Sequence, residues 1–152
     1  MKIDVGSKAP NFSGETQNGN TVSLSDYKGK KLIIFFYPKD NTPGCTAEAC
    51  DLRDNYSILK KKGFEIVGVS ADSVKKHENF AKKFELPFPL IADTDKKMIN
   101  DYKVWGLKKF MGREFDGIHR TTYIVDENGI ISHRFDKVKT KEHAAQILNE
   151  VE

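Results

Sequence analysis

Residues 32–36 run Leu-Ile-Ile-Phe-Phe with no polar interruption. A short, continuous apolar run of this kind is the pattern of a β-strand covered on both faces, as in sheets with helices packed against them. The run stops at Tyr37-Pro38, because proline has no N–H to give a central ladder. Five residues later the chain changes character. Thr42 fits an N-cap and Pro43 the first helical position, where a missing N–H is no loss. The segment therefore reads as a buried strand, a tight connection and a helix start, with Cys45 in the first turn of that helix.

The rest of the chain continues the alternation. Gln17-Asn18-Gly19-Asn20 is a hairpin signal inside an N-terminal region ending near residue 30. A strand is expected over 31–37 and a helix over 43–62, closed by Gly63 as a left-handed cap. A second strand follows over 64–70, then a helix over about 73–84 that stops before Pro87, a short strand near 88–91 and a helical stretch over 95–103. Residues 104–119 hold three glycines and read as an irregular loop. Strands over 120–126 and 130–135 flank Glu127-Asn128-Gly129, a strong hairpin signal, and a last helix begins near Thr140. Strand–helix–strand, then an antiparallel hairpin, then a helix is the order of a thioredoxin-like α/β fold. The expectation is a central mixed β-sheet flanked by helices, with an N-terminal β-hairpin extension.

At 152 residues, with ten Phe and five Tyr, the chain suits one domain, 1–152, around one sizeable core. No run approaches the 18 apolar residues of a membrane span. The start, Met1-Lys2-Ile3-Asp4-Val5, lacks the apolar core of a signal peptide. A cytoplasmic location is expected, and there a pair of cysteines is more often catalytic than structural. The net charge of +3 comes from lysine pairs interspersed with acidic residues, a solvated surface rather than a nucleic-acid footprint. Two cysteines and four scattered histidines do not make a structural zinc set, and no cofactor is implied.

Cys45 and Cys50 are the only cysteines. At a helix start, unpaired N–H groups and the positive end of the dipole favour a thiolate. Five residues along an α-helix put two Cα atoms about 8.6 Å apart, whereas a disulfide needs roughly 4.4–6.8 Å. If the pair forms a disulfide, the first turn or two must unwind, which argues for a redox cycle rather than a static staple. A free cysteine is often just a small buried apolar residue, but the helix-start position and the second thiol favour chemistry here. Cys45, Ala49, Leu52, Tyr56 and Leu59 form an inward stripe. Cys45 is expected recessed at its top and Cys50 on the flank, near Thr46 and Arg53.

The segment Pro38-x-x-x-Thr42-x-x-Cys45 resembles the active-site motif of peroxiredoxins. The second cysteine resembles the Q-type subgroup, also called bacterioferritin-comigratory-protein-like. The similarity extends through Lys8–Phe12, Phe64–Asp72, Pro87–Asp93 and Arg120–Asp126. It implies that Cys45 attacks a peroxide and becomes a sulfenic acid. Cys50 then condenses with it to an intramolecular disulfide, which thioredoxin or a glutaredoxin-type dithiol reduces. By the same resemblance Thr42 hydrogen-bonds the peroxide, Pro38 shields the pocket, and Arg120 supplies a fixed positive charge beside Cys45. The subgroup implies a monomer, with residues 104–119 as the segment a weak dimer would use.

Two rival functions are a thioredoxin-like disulfide oxidoreductase, which would carry C-x-x-C where this chain has C-x-x-x-x-C, and a non-catalytic redox sensor using the same thiolate. Among the neighbouring residues, His119 is read as structural and Tyr37 as packing. Asp93-Thr94-Asp95 is read as a helix cap rather than a cation site. Glu48, one turn after Cys45, would raise the thiolate pKa if it pointed inward, and is read instead as an outward complement to the helix dipole.

Overall fold

The computed structural model describes residues 2–151. Its centre is the expected strand, β3 (Lys31–Phe36), which pairs in parallel with β4 (Phe64–Ser70) and antiparallel with β8 (Thr121–Val125). The outer strands β5 (Leu90–Ala92) and β9 (Ile131–Phe135) complete a five-stranded sheet of order β5-β4-β3-β8-β9. Residues 32–36 are fully buried, and the period of two explains why all must be apolar. Ile33, Phe35 and Tyr37 face one cluster, with Leu52, Leu59, Phe80, Phe88 and Ile147. Leu32, Ile34 and Phe36 face the other, with Phe12, Ile99, Tyr102 and Tyr123. This is a thioredoxin-like fold.

The first face is covered by α1 (Pro43–Asp54), α2 (Tyr56–Lys61), α3 (Val74–Phe84) and α5 (His143–Val151). The opposite face carries α4 (Lys97–Asp101) and the N-terminal segment. Asp93 caps α4, its two oxygens accepting from Met98 N (3.2 Å) and Ile99 N (2.7 Å). The N-terminal hairpin β1 (Ser13–Glu15)/β2 (Thr21–Ser23) closes through Gly19 at φ 78° and touches the main sheet by a bridge from Thr16 to Ile91.

Two expectations need correction. The helix over 43–62 is two helices, broken at Asn55 (φ −108°, ψ 8°). Asn55 Nδ2 donates to the Asp51 carbonyl at 2.8 Å, the side-chain competition with the backbone that makes Asn a weak helix former. Gly63 does close the second helix, at φ 90°. The irregular loop at 104–119 is instead a hairpin, β6 (Trp105–Phe110) against β7 (Arg113–Ile118). Met111 and Gly112 turn it with φ 51° and 78°, both left-handed as a type I′ turn requires.

The last helix is held at its start by α1. Asp51 Oδ2 accepts from Ala144 N at 2.7 Å, so a side chain of one helix satisfies an orphan donor of the other.

Candidate active site

Cys45 lies in the first turn of α1 at the sheet end where β3 finishes, 1% exposed, and both cysteines are free. Cys50 is half-buried on the helix flank. Burial, only partly offset by the Arg53 charge and reinforced by Asp54, pushes its thiol up, so it stays protonated. Thr42 holds the N-cap backbone position (φ −98°, ψ 156°), and its carbonyl accepts from Thr46 N at 2.8 Å. Its hydroxyl does not cap the helix. It donates to the Lys39 carbonyl at 2.8 Å, which commits its proton and leaves Oγ1 as an acceptor. Pro38 is half-buried between β3 and this loop.

Arg120 immediately precedes β8, whose first residue Thr121 pairs with Phe36 beside the helix start. From there Nη2 reaches Cys45 Sγ at 3.3 Å while Nη1 donates to Glu48 Oε1 at 2.7 Å. The planar fork of guanidinium allows one side chain to hold both groups. Gly44 makes the approach feasible, since a Cβ there would stand 3.1 Å from Arg120 Nη2.

Glu48 was expected to point outward and is instead fully buried. One turn after Cys45, it shares that residue's face of the helix, a spacing the sequence already displayed. Among the described residues its Oε2 finds no hydrogen-bond partner, and it lies 3.6 Å from His143 Nε2. His143 is neutral at physiological pH, because burial, with Arg120 nearby, pushes its pKa down to about 4. Its Nδ1 faces Gln146 Oε1 at 3.0 Å, so the proton sits on Nδ1, and Nε2 accepts from Thr122 Oγ1 at 2.8 Å. A deprotonated Glu48 would thus point an oxygen at a lone pair. Consistently, burial pushes Glu48 up to about 7, against the pull of Arg120.

A second cation, Lys108 on β6, was not anticipated. Burial and the Arg120 charge lower its pKa while Cys45 raises it, and its Nζ donates to the Ile118 carbonyl at 3.0 Å. His119 donates its backbone N–H to the Val104 carbonyl at 2.6 Å.

As pH rises through about 7, Glu48 loses its proton and its charge competes with Cys45 for Arg120. Glu48→Gln fixes the neutral form. It is expected to react with peroxide about threefold faster than wild type at pH 8, with little difference at pH 6. Superimposable pH profiles for the two proteins would detach Glu48 from the site.

A thioredoxin-like sheet presenting a buried thiol at a helix start, held under an arginine and with a second thiol five residues on, defines a thiol-redox protein. The chain belongs to the AhpC/TSA family, whose model matches residues 5–134. It is 48% identical over 148 residues to the putative peroxiredoxin bcp of Coxiella burnetii, covering 97% of this chain and 98% of that one. It is 46% identical over 148 residues to peroxiredoxin Bcp of Bacillus subtilis, covering 97% and 94%. Among solved structures it superposes on the Xanthomonas campestris bacterioferritin comigratory protein, studied for alkyl peroxide reduction, with a TM-score of 0.86. That pair is 35% identical over 92% of this chain and 89% of that chain.

Proposed function

We propose that the chain is a thiol-dependent peroxidase that reduces hydrogen peroxide and organic hydroperoxides through Cys45 and Cys50, within one domain. The observation that carries this reading is the 3.3 Å contact of Arg120 Nη2 on Cys45 Sγ at the first turn of a helix. The Cys45 thiolate attacks one peroxide oxygen. An S–O bond forms, the O–O bond breaks, and the leaving oxygen departs as alkoxide or hydroxide and takes up a proton. Arg120 stabilises the charge on that oxygen, Thr42 Oγ1 accepts a hydrogen bond from the peroxide, and Pro38 limits water. The Cys50 thiol then attacks the sulfenic sulfur, forming the disulfide and releasing water. A dithiol such as thioredoxin or a glutaredoxin-type protein returns both thiols by exchange. The alkyl peroxide reduction named for the Xanthomonas relative supports organic hydroperoxides among the substrates.

No helix among the described residues is long and apolar enough to cross a membrane, and the proposed setting is the cytoplasm. The proposed state is a monomer. Leu107 and Phe115 stand exposed on the β6/β7 hairpin, and they are the surface a weak dimer would use.

The test is peroxide consumption by the wild-type protein with thioredoxin and its reductase, alongside amide exchange of the reduced and oxidised forms. Sustained turnover is expected, and oxidation is expected to accelerate exchange across residues 43–50 by at least about tenfold, since the helix cannot span the bond. Disulfide formation without turnover by any dithiol reductant would favour the sensor. Unchanged exchange would remove the unwinding step.

A further inference from the structure

The loop joining β3 to α1 is fastened from below by a buried polar cluster that the peroxidase chemistry does not use. Tyr37 OH donates to Asp40 Oδ1 at 2.6 Å, and Asp40 Oδ2 lies 2.6 Å from His77 Nδ1 on α3. His77 is fully buried and Asp40 nearly so. His77 Nε2 stands 3.0 Å from the Ile91 carbonyl. A carbonyl only accepts, so Nε2 carries a proton, and the short Nδ1–Oδ2 contact must hold a second proton between carboxylate and ring. The backbone is tied as well, with Asp40 N donating to Asp72 Oδ2 at 2.8 Å and Ser70 Oγ donating to the same oxygen at 2.7 Å. The side chains of Tyr37 and Asp40 and the Asp40 backbone are thereby joined to β4, β5 and α3. His77 and two carboxylates cluster closely enough to suggest a cation site, but both Asp40 oxygens and both ring nitrogens already have partners within the chain.

The very next residue, Asn41, has φ +59°, a conformation an L side chain adopts at some cost. Among the described residues its side chain is held only by an exposed 3.4 Å contact from Lys83 Nζ. A firmly anchored residue is thus followed directly by an exposed one in the left-handed conformation, and then by Thr42 and Cys45.

We infer that the Asp40–His77 pair is an anchor that positions Thr42 and Cys45 for the peroxide step and sets the upstream limit of the unwinding that brings Cys45 to Cys50. Asn41 is the hinge. The inference rests on the two-cysteine reading above. It makes Asp40 and His77 positioning residues with opposite effects on two competing steps. While anchored, Cys45 waits in the helix, where its sulfenic acid is exposed to a second peroxide (sulfenate plus peroxide gives sulfinate plus water or alcohol). Once the helix opens, the sulfenic acid meets Cys50 and gives disulfide plus water. Loosening the anchor slows the first peroxide reaction, which needs the positioned site, and favours disulfide over sulfinate.

Asp40→Ala removes both carboxylate contacts, while Tyr37 OH and His77 Nδ1, 3.4 Å apart, are left to partner each other. The reduced variant is expected to exchange amides 41–46 at least about tenfold faster than wild type. It should react severalfold more slowly with peroxide. It should also give a severalfold lower ratio of sulfinate to disulfide, by intact-mass analysis, over a series of peroxide excesses. Asp40→Asn, which keeps a neutral hydrogen bond to the ring, should fall between the two and serves as the deciding variant should Asp40→Ala not fold. A folded variant with wild-type amide exchange and a wild-type sulfinate-to-disulfide ratio would overturn the inference. General destabilisation would lower activity and melting temperature without shifting that ratio. A wild-type protein that forms neither product would defeat the peroxidase reading instead, and amide exchange at 41–46 would still decide whether the anchor holds the loop.

Discussion

Cys45→Ser is expected to lose peroxide consumption by a factor on the order of 10⁴ or more, since removing the nucleophile of a covalent mechanism leaves only background reaction. The fold should survive. Serine is close to cysteine in size and its oxygen can accept from Arg120, so the change in stability should be about 1 kcal/mol. The companion Cys50→Ser tells the two thiols apart. It should consume the first equivalent of peroxide at close to the wild-type rate and then fail to turn over with thioredoxin, its sulfenic acid left without a partner and open only to the slower second oxidation to sulfinate. Full activity in Cys45→Ser would mean that the chemistry belongs elsewhere in the molecule. Thioredoxin-supported turnover in Cys50→Ser would give the resolving role to an external thiol.

Arg120→Met should reduce the second-order rate with peroxide by about 10²–10³, the range seen when a preorganised donor to a developing oxyanion is removed. The thiolate absorbance titration should move to higher pH, because among the described residues the only side-chain hydrogen bond on Cys45 Sγ comes from Arg120 Nη2. The variant should remain folded. Glu48 loses its partner, but a buried carboxyl already raised to about 7 can accept a proton rather than sit unpaired. Arg120→Lys is expected to rescue little, as a single ammonium cannot reach both Cys45 and Glu48 in the forked geometry. A wild-type titration and rate in Arg120→Met would take this residue out of the reaction.

What could be read from the sequence follows from where the signals were strong. The apolar run at 32–36 and the Thr42-Pro43 helix start located the central strand and the thiol because burial on both faces and a fixed proline φ leave few alternatives. Arg120 could be placed beside Cys45 only through the family motif, since an arginine before a strand is common. The β6/β7 hairpin was missed for a physical reason. Lys108, Lys109, Arg113, Glu114 and Asp116 crowd its strands, and most of β7 is exposed, so no face alternates apolar with polar. Its turn begins with Met111 rather than the Asn or Asp that marks a type I′ turn. Glu48 was misplaced because charge at a helix start has an ordinary outward explanation; its one-turn spacing from Cys45 was the stronger clue. His77 stands at an inward position of α3, one turn before Phe80. Helical spacing could have flagged it, but its partner Asp40 lies 37 residues away and only the fold brings the two together.

The cap that Asp51 places on Ala144 bears on how fast the protein can cycle. Asp51 is the residue directly after Cys50, so opening that stops at Cys50 leaves the C-terminal helix docked and the sheet untouched. The stretch that must re-form after each reduction is then about two helical turns at the edge of an intact scaffold. Helix formation on that scale takes on the order of a microsecond. Productive encounter with a micromolar protein partner, at about 10⁵–10⁷ M⁻¹s⁻¹, takes roughly a tenth of a second to ten seconds. In the proposed two-cysteine cycle, recoiling therefore adds nothing perceptible beside the encounter with the reductant.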